Sequence, residues 1–200
     1  MNAPAYPVGR GRAQFLLLAA LFFAPLLLAI LFYFGLPGLQ PEHKTNYGQL
    51  VVPARPLPEF RWTDAEGTAK DLAVLRGRWS YIYLAGEDCG TACMQKLYQI
   101  RQIRLLLNEK RLRVQRVYVA PNPAAMVAAK AKLAQTHPDM VFLALDGQGQ
   151  APAAFFGASD PEALYLTDPL ANWLMVYPAA AESPGILKDI KKLLRLSQIG

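Results

Sequence analysis

Hydrophobic and polar positions fall into three regimes along the chain. From Phe15 to Phe34 the run FLLLAALFFAPLLLAILFYF carries no charge. At 1.5 Å rise per residue, such a run is about 30 Å long as a helix, the thickness of a bilayer's hydrocarbon core. It predicts a membrane-spanning helix over residues 13–35, in which Pro25 is tolerated and Tyr33 suits the interface. A core helix would show polar positions that this run lacks. A secretory h-region would be shorter, about 7–15 residues, and FGLPGLQPE offers no A-x-A-like cleavage site. The second regime, residues 36–56, is rich in proline (37, 41, 53, 56) and glycine. It reads as an extended linker that builds no core and holds a domain off the membrane.

The third regime, residues 57–200, alternates between the strand and helix periods. FRWTDAEGTAKDL reads as two short strands around a turn at Ala65-Glu66-Gly67, and LAVLRGR as a helical turn. Trp79–Ala85 is an apolar run of strand length without helical period, a central buried strand. A helix is predicted over 91–110, because Leu97, Ile100, Ile103 and Leu107 recur at three- and four-residue steps, with Cys93 one turn earlier on the same face. Val114–Val119 is the next strand. A second helix covers 123–136 with Ala125, Val127, Ala128, Ala131 and Leu133 as its apolar surface, ending before Pro138. Met140–Leu145 is a strand, 146–161 a connection with a short helix near 153–156, and 163–167 with 173–177 a hairpin. Ser183-Pro184 opens a last helix striped by Ile186, Leu187, Ile190, Leu193 and Leu194. The fold class is therefore α/β: a mixed sheet with helices on both faces. Strand, cysteine-bearing turn and helix near its head make a thioredoxin-like arrangement.

Composition changes this picture little. Of the chain, 53% is hydrophobic, and the excess over the usual ~45–50% lies in the anchor. Charge adds direction. Arg10 and Arg12 precede the apolar run and no basic residue follows until Lys44. The positive-inside rule then places residues 1–12 in the cytoplasm and the domain outside, the periplasmic side of a bacterial inner membrane. The net charge is +6, with Lys96, Arg101, Arg104, Lys110, Arg111, Arg113 and Arg116 in one stretch. For an outward-facing domain this excludes nucleic acid and leaves an anionic membrane surface, an acidic protein, or a solvated helix face.

Only two cysteines are present, Cys89 and Cys93. In an oxidising compartment such a close pair is a disulfide, a redox pair or a metal-binding pair. A position at a helix start favours the thiolate, while Glu87 and Asp88 oppose it. Metal binding needs a third donor, and Cu(I) takes soft ones. If the strands are parallel, His137 at the start of its strand and the cysteines after theirs lie at opposite ends of the sheet; His43 lies in the linker, and Met94 is beside Cys93 but reads as packing.

The stretches WTDAEGTAKDLAVLRGRWSYIYLAGEDCGTAC, LYLTDPLANWLMVY and SPGILKDIKKLLRL resemble the Sco/SenC family of membrane-anchored, thioredoxin-fold proteins over residues 57–197. The resemblance implies an accessory role in assembling cytochrome c oxidase, by delivering copper or by reducing thiols. The partners it implies are a respiratory-complex subunit or a thiol-containing protein, besides membrane lipid around 13–35. It also implies a copper site made of both cysteines of C-x-x-x-C and a histidine eight residues before the D-P of the terminal hairpin. Counting back from Asp168 reaches Asp160, so that third ligand is absent, and the motif interior reads Gly90-Thr91-Ala92. Three readings follow: a thiol pair acting as an oxidoreductase or non-enzymatic assembly factor without a resident cofactor, a copper chaperone of atypical ligation through Cys89 and Cys93, and a redox-silent scaffold.

Overall fold

The computed structural model describes residues 8–35, 46–146 and 152–199. The chain divides into two compact units, Met1–Lys44 and Thr45–Gly200. In the first, helix α1 (Val8–Ile30) runs through Pro25 and continues as a π-helical turn, Leu31–Gly35. Gly11–Gly35 is long and apolar enough to cross a membrane, and none of its side chains is buried by protein. A helix this apolar on every side has no polar face to offer water.

The second unit is an eight-stranded sheet in the order β1-β8-β7-β4-β5-β6-β2-β3. Its strands are β1 (Gln49–Pro56), β2 (Trp62–Asp64), β3 (Ala69–Lys70), β4 (Trp79–Leu84), β5 (Val114–Ala120), β6 (Met140–Leu145), β7 (Leu164–Thr167) and β8 (Asn172–Tyr177). β4, β5 and β6 are parallel, and every other pairing is antiparallel. The parallel strands need crossovers, supplied by α2 (Thr91–Leu105) and α3 (Pro123–Leu133). Both pack on one face together with α5 (Ser183–Leu196), over Trp79, Tyr81, Tyr83, Tyr118 and Phe142. The other face is covered by smaller pieces: a 3-10 turn at Leu72–Leu75, Phe60, and Phe156 of α4 (Pro152–Phe156), over Ile82, Val117, Tyr165 and Trp173. All strands and both core clusters lie within residues 46–199, so this unit holds its own core.

The mixed sheet, its central strand and the terminal hairpin stand where the sequence pattern puts them. Four local expectations change. Residues 49–56, read as linker, form edge strand β1 on β8, with Gln49 opposite Val176 and Pro56 opposite Asn172; prolines are admissible there because an edge strand has one side unpaired. Residues 36–45 of that linker, with His43, lie outside the described residues. Helix α2 stops at Leu105 rather than 110, and a 3-10 segment, Asn108–Arg113, opens on Asn108 at φ 52°. Leu107 is still buried, so the apolar period outlasts the helix. In α3 the buried residues are Ala125, Met126, Ala129 and Leu133, whereas Val127, Ala128 and Ala131 face solvent. The three long helices share one face instead of dividing between two.

Candidate functional site

β4 delivers the chain to one end of the sheet, and the loop after Leu84 brings Cys89 to the start of α2. Cys93 follows in the first helical turn. Four residues apart across a helix start, their Cα atoms are 5.2 Å apart and their sulfurs are joined as a disulfide. Both residues are nearly enclosed, 4% and 5% exposed. Gly90 is the N-cap and makes no side-chain cap; the first helical bond runs from the Met94 N–H to the Gly90 carbonyl at 3.0 Å. The N–H groups of Thr91, Ala92 and Cys93 therefore have no partner within the helix, which makes this end electropositive.

The acidic residues ahead of Cys89 are engaged elsewhere. Glu87 accepts both its hydrogen bonds from the Asn122 amide, at 2.8 and 3.0 Å. Asn122 also caps α3 by accepting from the Ala125 N–H at 2.8 Å. Asp88 pairs with Lys132 at 2.7 Å, and that ammonium holds its carboxyl below the usual carboxylate range. The two charges that oppose a thiolate are thus drawn toward α3.

A cleft of about 460 Å³ opens beside the disulfide, lined by Gly90, Cys93, Tyr83, Asp160, Glu162 and Tyr165 among others. Cys93 contributes to its wall; Cys89 does not, although its neighbours Asp88 and Gly90 do. Asp160, the position at which the resemblance implies histidine, reaches this cleft. Its carboxylate accepts from the Glu162 N–H at 3.0 Å and from the Ala179 N–H at 2.6 Å, tying the β7 approach to the segment after β8. The Tyr83 hydroxyl donates to Glu162 at 2.7 Å, and burial, reinforced by that carboxylate, pushes the phenol far above its usual range. Lys96, one turn after Cys93, donates to Gln99 Oε1 and to the Ala179 carbonyl, both at 2.9 Å. Burial lowers its ammonium, and Glu162 and Asp160 oppose the shift. Tyr83 and Glu162 were not singled out in the sequence, Tyr83 being hidden in an apolar strand, and Lys96 was read only as one cation of a basic stretch rather than as a residue turned inward.

The donor set does not fit a Cu(I) site. Among the described residues no three His, Cys, Asp or Glu side chains are grouped to hold a metal ion. The cysteines are bonded to each other, and Asp160 is a hard oxygen donor already used by two backbone N–H groups. Met94 is 46% exposed and supplies no enclosed sulfur.

His137 belongs to another cluster, at the far end of the sheet, as its place ahead of β6 implies. The buried Arg116 guanidinium donates from Nη1 to His137 Nδ1 at 2.9 Å, and from Nη2 to Asp139, which Arg104 also contacts. A guanidinium has no acceptor, so Nδ1 must carry the lone pair and the ring is neutral. Burial, then the charges of Arg116 and Arg101, lower its pKa to about 4, against the pull of Asp139. A histidine depressed in the folded state contributes full stability above its unfolded value near 6.5 and loses it as pH falls toward 4. Urea melts should therefore show the domain less stable at pH 5 than at pH 7 by roughly 2 kcal/mol from this residue. His137→Gln should remove that portion of the difference; an unchanged pH slope in the variant would refute the assignment.

Comparison with known proteins fits this geometry. The model of the transmembrane-like, thioredoxin-like C-terminal domain family matches residues 79–197. No curated protein matches the chain. Apo Sco1 from Thermus thermophilus is similar in structure, 19% identical, with a TM-score of 0.59 over 76% of this chain and 99% of that one. Copper-bound yeast Sco1 is 16% identical, with a TM-score of 0.56 over 72% and 90%. BsSco, described as having a disulfide switch and as a member of the Sco family of cytochrome c oxidase assembly proteins, is 16% identical, with a TM-score of 0.54 over 74% and 99%. At these identities the likeness establishes the thioredoxin-like fold.

Proposed function

This chain belongs to the transmembrane-like, thioredoxin-like C-terminal domain family, and from that premise we propose that it is a membrane-anchored thiol-redox accessory factor acting through Cys89 and Cys93. The observation that carries this reading is the disulfide at a helix start beside an open cleft. Its partner is a protein thiol, and the fold shared with Sco proteins favours a respiratory-oxidase subunit as that partner. The exchange is balanced within the two proteins. A partner thiolate attacks the Sγ of Cys93, the cysteine that lines the cleft; the partner–Cys93 bond forms and the Cys89–Cys93 bond breaks. Cys89 leaves as a thiolate into the positive end of α2. A second partner thiolate then displaces Cys93, so two electrons pass from the partner to this chain; the reverse sequence oxidises the chain again. Copper is not part of this scheme, because among the described residues the reduced pair would offer two thiolates and no enclosed third soft donor.

The deciding experiment reduces the purified protein with dithiothreitol while thiol labelling and circular dichroism are followed together. The disulfide closes a loop of only five residues, which the chain-entropy model makes worth about 2 kcal/mol. Two thiols should appear with the fold intact. Free thiols under oxidising conditions, or collapse on reduction, would leave a scaffold or a structural disulfide instead.

The proposed topology places residues 1–12 in the cytoplasm and the domain in the periplasm, on the strength of Arg10 and Arg12 ahead of the apolar helix. A compartment-sensitive reporter fused after Gly200 should be active only outside the cytoplasm. Cytoplasmic activity would invert the topology and remove the oxidising setting the reading needs.

A further inference from the structure

The end of the domain remote from the disulfide carries a surface that the redox reading does not use. α2 starts at the cysteines and runs about 22 Å to Leu105 at 1.5 Å per residue. The 3-10 segment Asn108–Arg113 follows and leads into β5, whose Val114 lies opposite Trp79 at the start of β4. α5 finishes at the same end. The Arg113 guanidinium stitches the two together by donating to the carbonyls of Leu194, Ser197 and Ile199 at 2.8–2.9 Å.

Five large apolar side chains on these joined segments stand in solvent: Leu112 is 71% exposed, Leu196 70%, Leu106 54%, Ile199 54% and Leu105 43%. Singly, an exposed leucine needs no explanation. Five on two segments bound to each other form a patch. Exposed cations lie on the same segments: Lys110, Arg111, Lys191 and Arg195. Glu109 is the one carboxylate in the stretch from Arg101 to Arg116. Asp189, the one carboxylate of α5, is buried and turned to the backbone of Tyr47 and Gly48.

We propose that this end of the domain binds an anionic phospholipid surface. The leucines would enter the headgroup layer, and the lysine and arginine charges would meet the lipid phosphates. Two observations select lipid as the occupant. The same chain carries a helix long and apolar enough to cross a membrane, so the domain works beside a bilayer. The patch also joins exposed apolar side chains to an excess of positive charge, with Glu109 and the Arg104- and Arg116-paired Asp139 as the carboxylates at this end, the combination an anionic interface attracts. A domain resting on this end would hold its disulfide cleft, at the other end of the sheet, open to partners away from the lipid.

The test uses the self-contained unit Thr45–Gly200 without its anchor. Vesicles of pure phosphatidylcholine are compared with vesicles containing roughly one-third phosphatidylglycerol, by co-sedimentation at low and high salt. Binding should be at least about tenfold tighter to the anionic vesicles and should weaken with salt. Leu112→Glu with Leu196→Glu, both at sites facing solvent, should lose about tenfold. Lys110→Glu with Arg111→Glu should do the same while leaving the apolar residues intact. Circular dichroism checks that each variant is folded. Equal binding to both vesicle types, or unchanged binding in both double variants, would overturn the proposal. So would a dimer in light scattering that Leu112→Glu dissociates, since the patch would then be a self-interface.

Discussion

A Cys93→Ser variant should lose thiol–disulfide exchange altogether, at least about a hundredfold below the unaltered chain, while Cys89→Ser should trap a disulfide-bearing partner as a stable mixed disulfide, its Cys93 thiolate breaking the partner's S–S bond and releasing one partner thiolate. Exchange needs one sulfur to be attacked and another to leave. Of the two, Cys93 lines the cleft and Cys89 does not, so an incoming thiolate reaches Cys93. With Cys89 replaced by serine, Cys93 stays accessible but nothing in the chain can resolve the adduct. With Cys93 replaced, Cys89 keeps its favourable place at the head of α2 but is not among the residues that line the cleft. Reaction of the two single-cysteine proteins with dithionitrobenzoate separates the cases: Cys93 should react at least about tenfold faster. A faster Cys89 would reverse the order of attack and leave the redox reading standing. Reaction by neither, together with a disulfide in the unaltered chain that resists dithiothreitol, would remove the redox reading itself.

The sequence carried the scaffold of this site better than its wiring. Trp79–Ala85 was legible because a strand buried on both faces needs an unbroken apolar run, and the cysteines were legible because they are the chain's only two. The boundaries of α2 were less so. Leu107 keeps the helical period and is buried, so its spacing extends the pattern past the point where Asn108 leaves the helix. In α3 the run PAAMVAAKAKL offers alanine on every side, and alanine does not mark a face; Met126 was the informative residue, and Val127 misled. The prolines of 49–56 spoke for a linker because proline usually denies a strand its donor, and only the pairing with β8 shows that the strand lies at an edge. The acid at position 160 was legible as a missing histidine. Its replacement role, clamping two backbone N–H groups, depends on a loop nearly twenty residues away and has no local signal.

Asp189→Ala should be among the most destabilising single changes in the domain, by about 4 kcal/mol. Asp189 sits on the inner side of α5 and is 3% exposed. Its carboxylate accepts from the Tyr47 N–H at 3.1 and 2.9 Å and from the Gly48 N–H at 2.8 Å. These two donors belong to the chain as it enters the domain, 142 and 141 residues away in sequence, and a helix-period reading would have assigned Asp189 to the polar face. Hydrogen bonds to a charged acceptor contribute about 1.5–3 kcal/mol each, and removing the acceptor leaves two backbone donors without a partner where water enters poorly. The fit around the latch leaves little freedom to compensate. A Cβ on Gly48 would come within 2.5–2.6 Å of Met175 and Tyr177, and one on Gly185 within 2.8–2.9 Å of the Tyr47 ring. Lys188 closes the other side of that ring, donating to the Tyr47 hydroxyl at 3.1 Å. For a domain of this size, about 4 kcal/mol corresponds to a fall in Tm of roughly 10 °C. Asp189→Asn retains one acceptor oxygen and should lose about half as much. Hydrogen exchange locates the effect: the amides of Tyr47 and Gly48, and next those of β1 where it pairs with β8, should lose protection before α2 or β4 does. Melting within about 2 °C of the unaltered domain, with those amides still protected, would show that the strand pairing of β1 alone holds the entering chain and that the buried carboxylate contributes little.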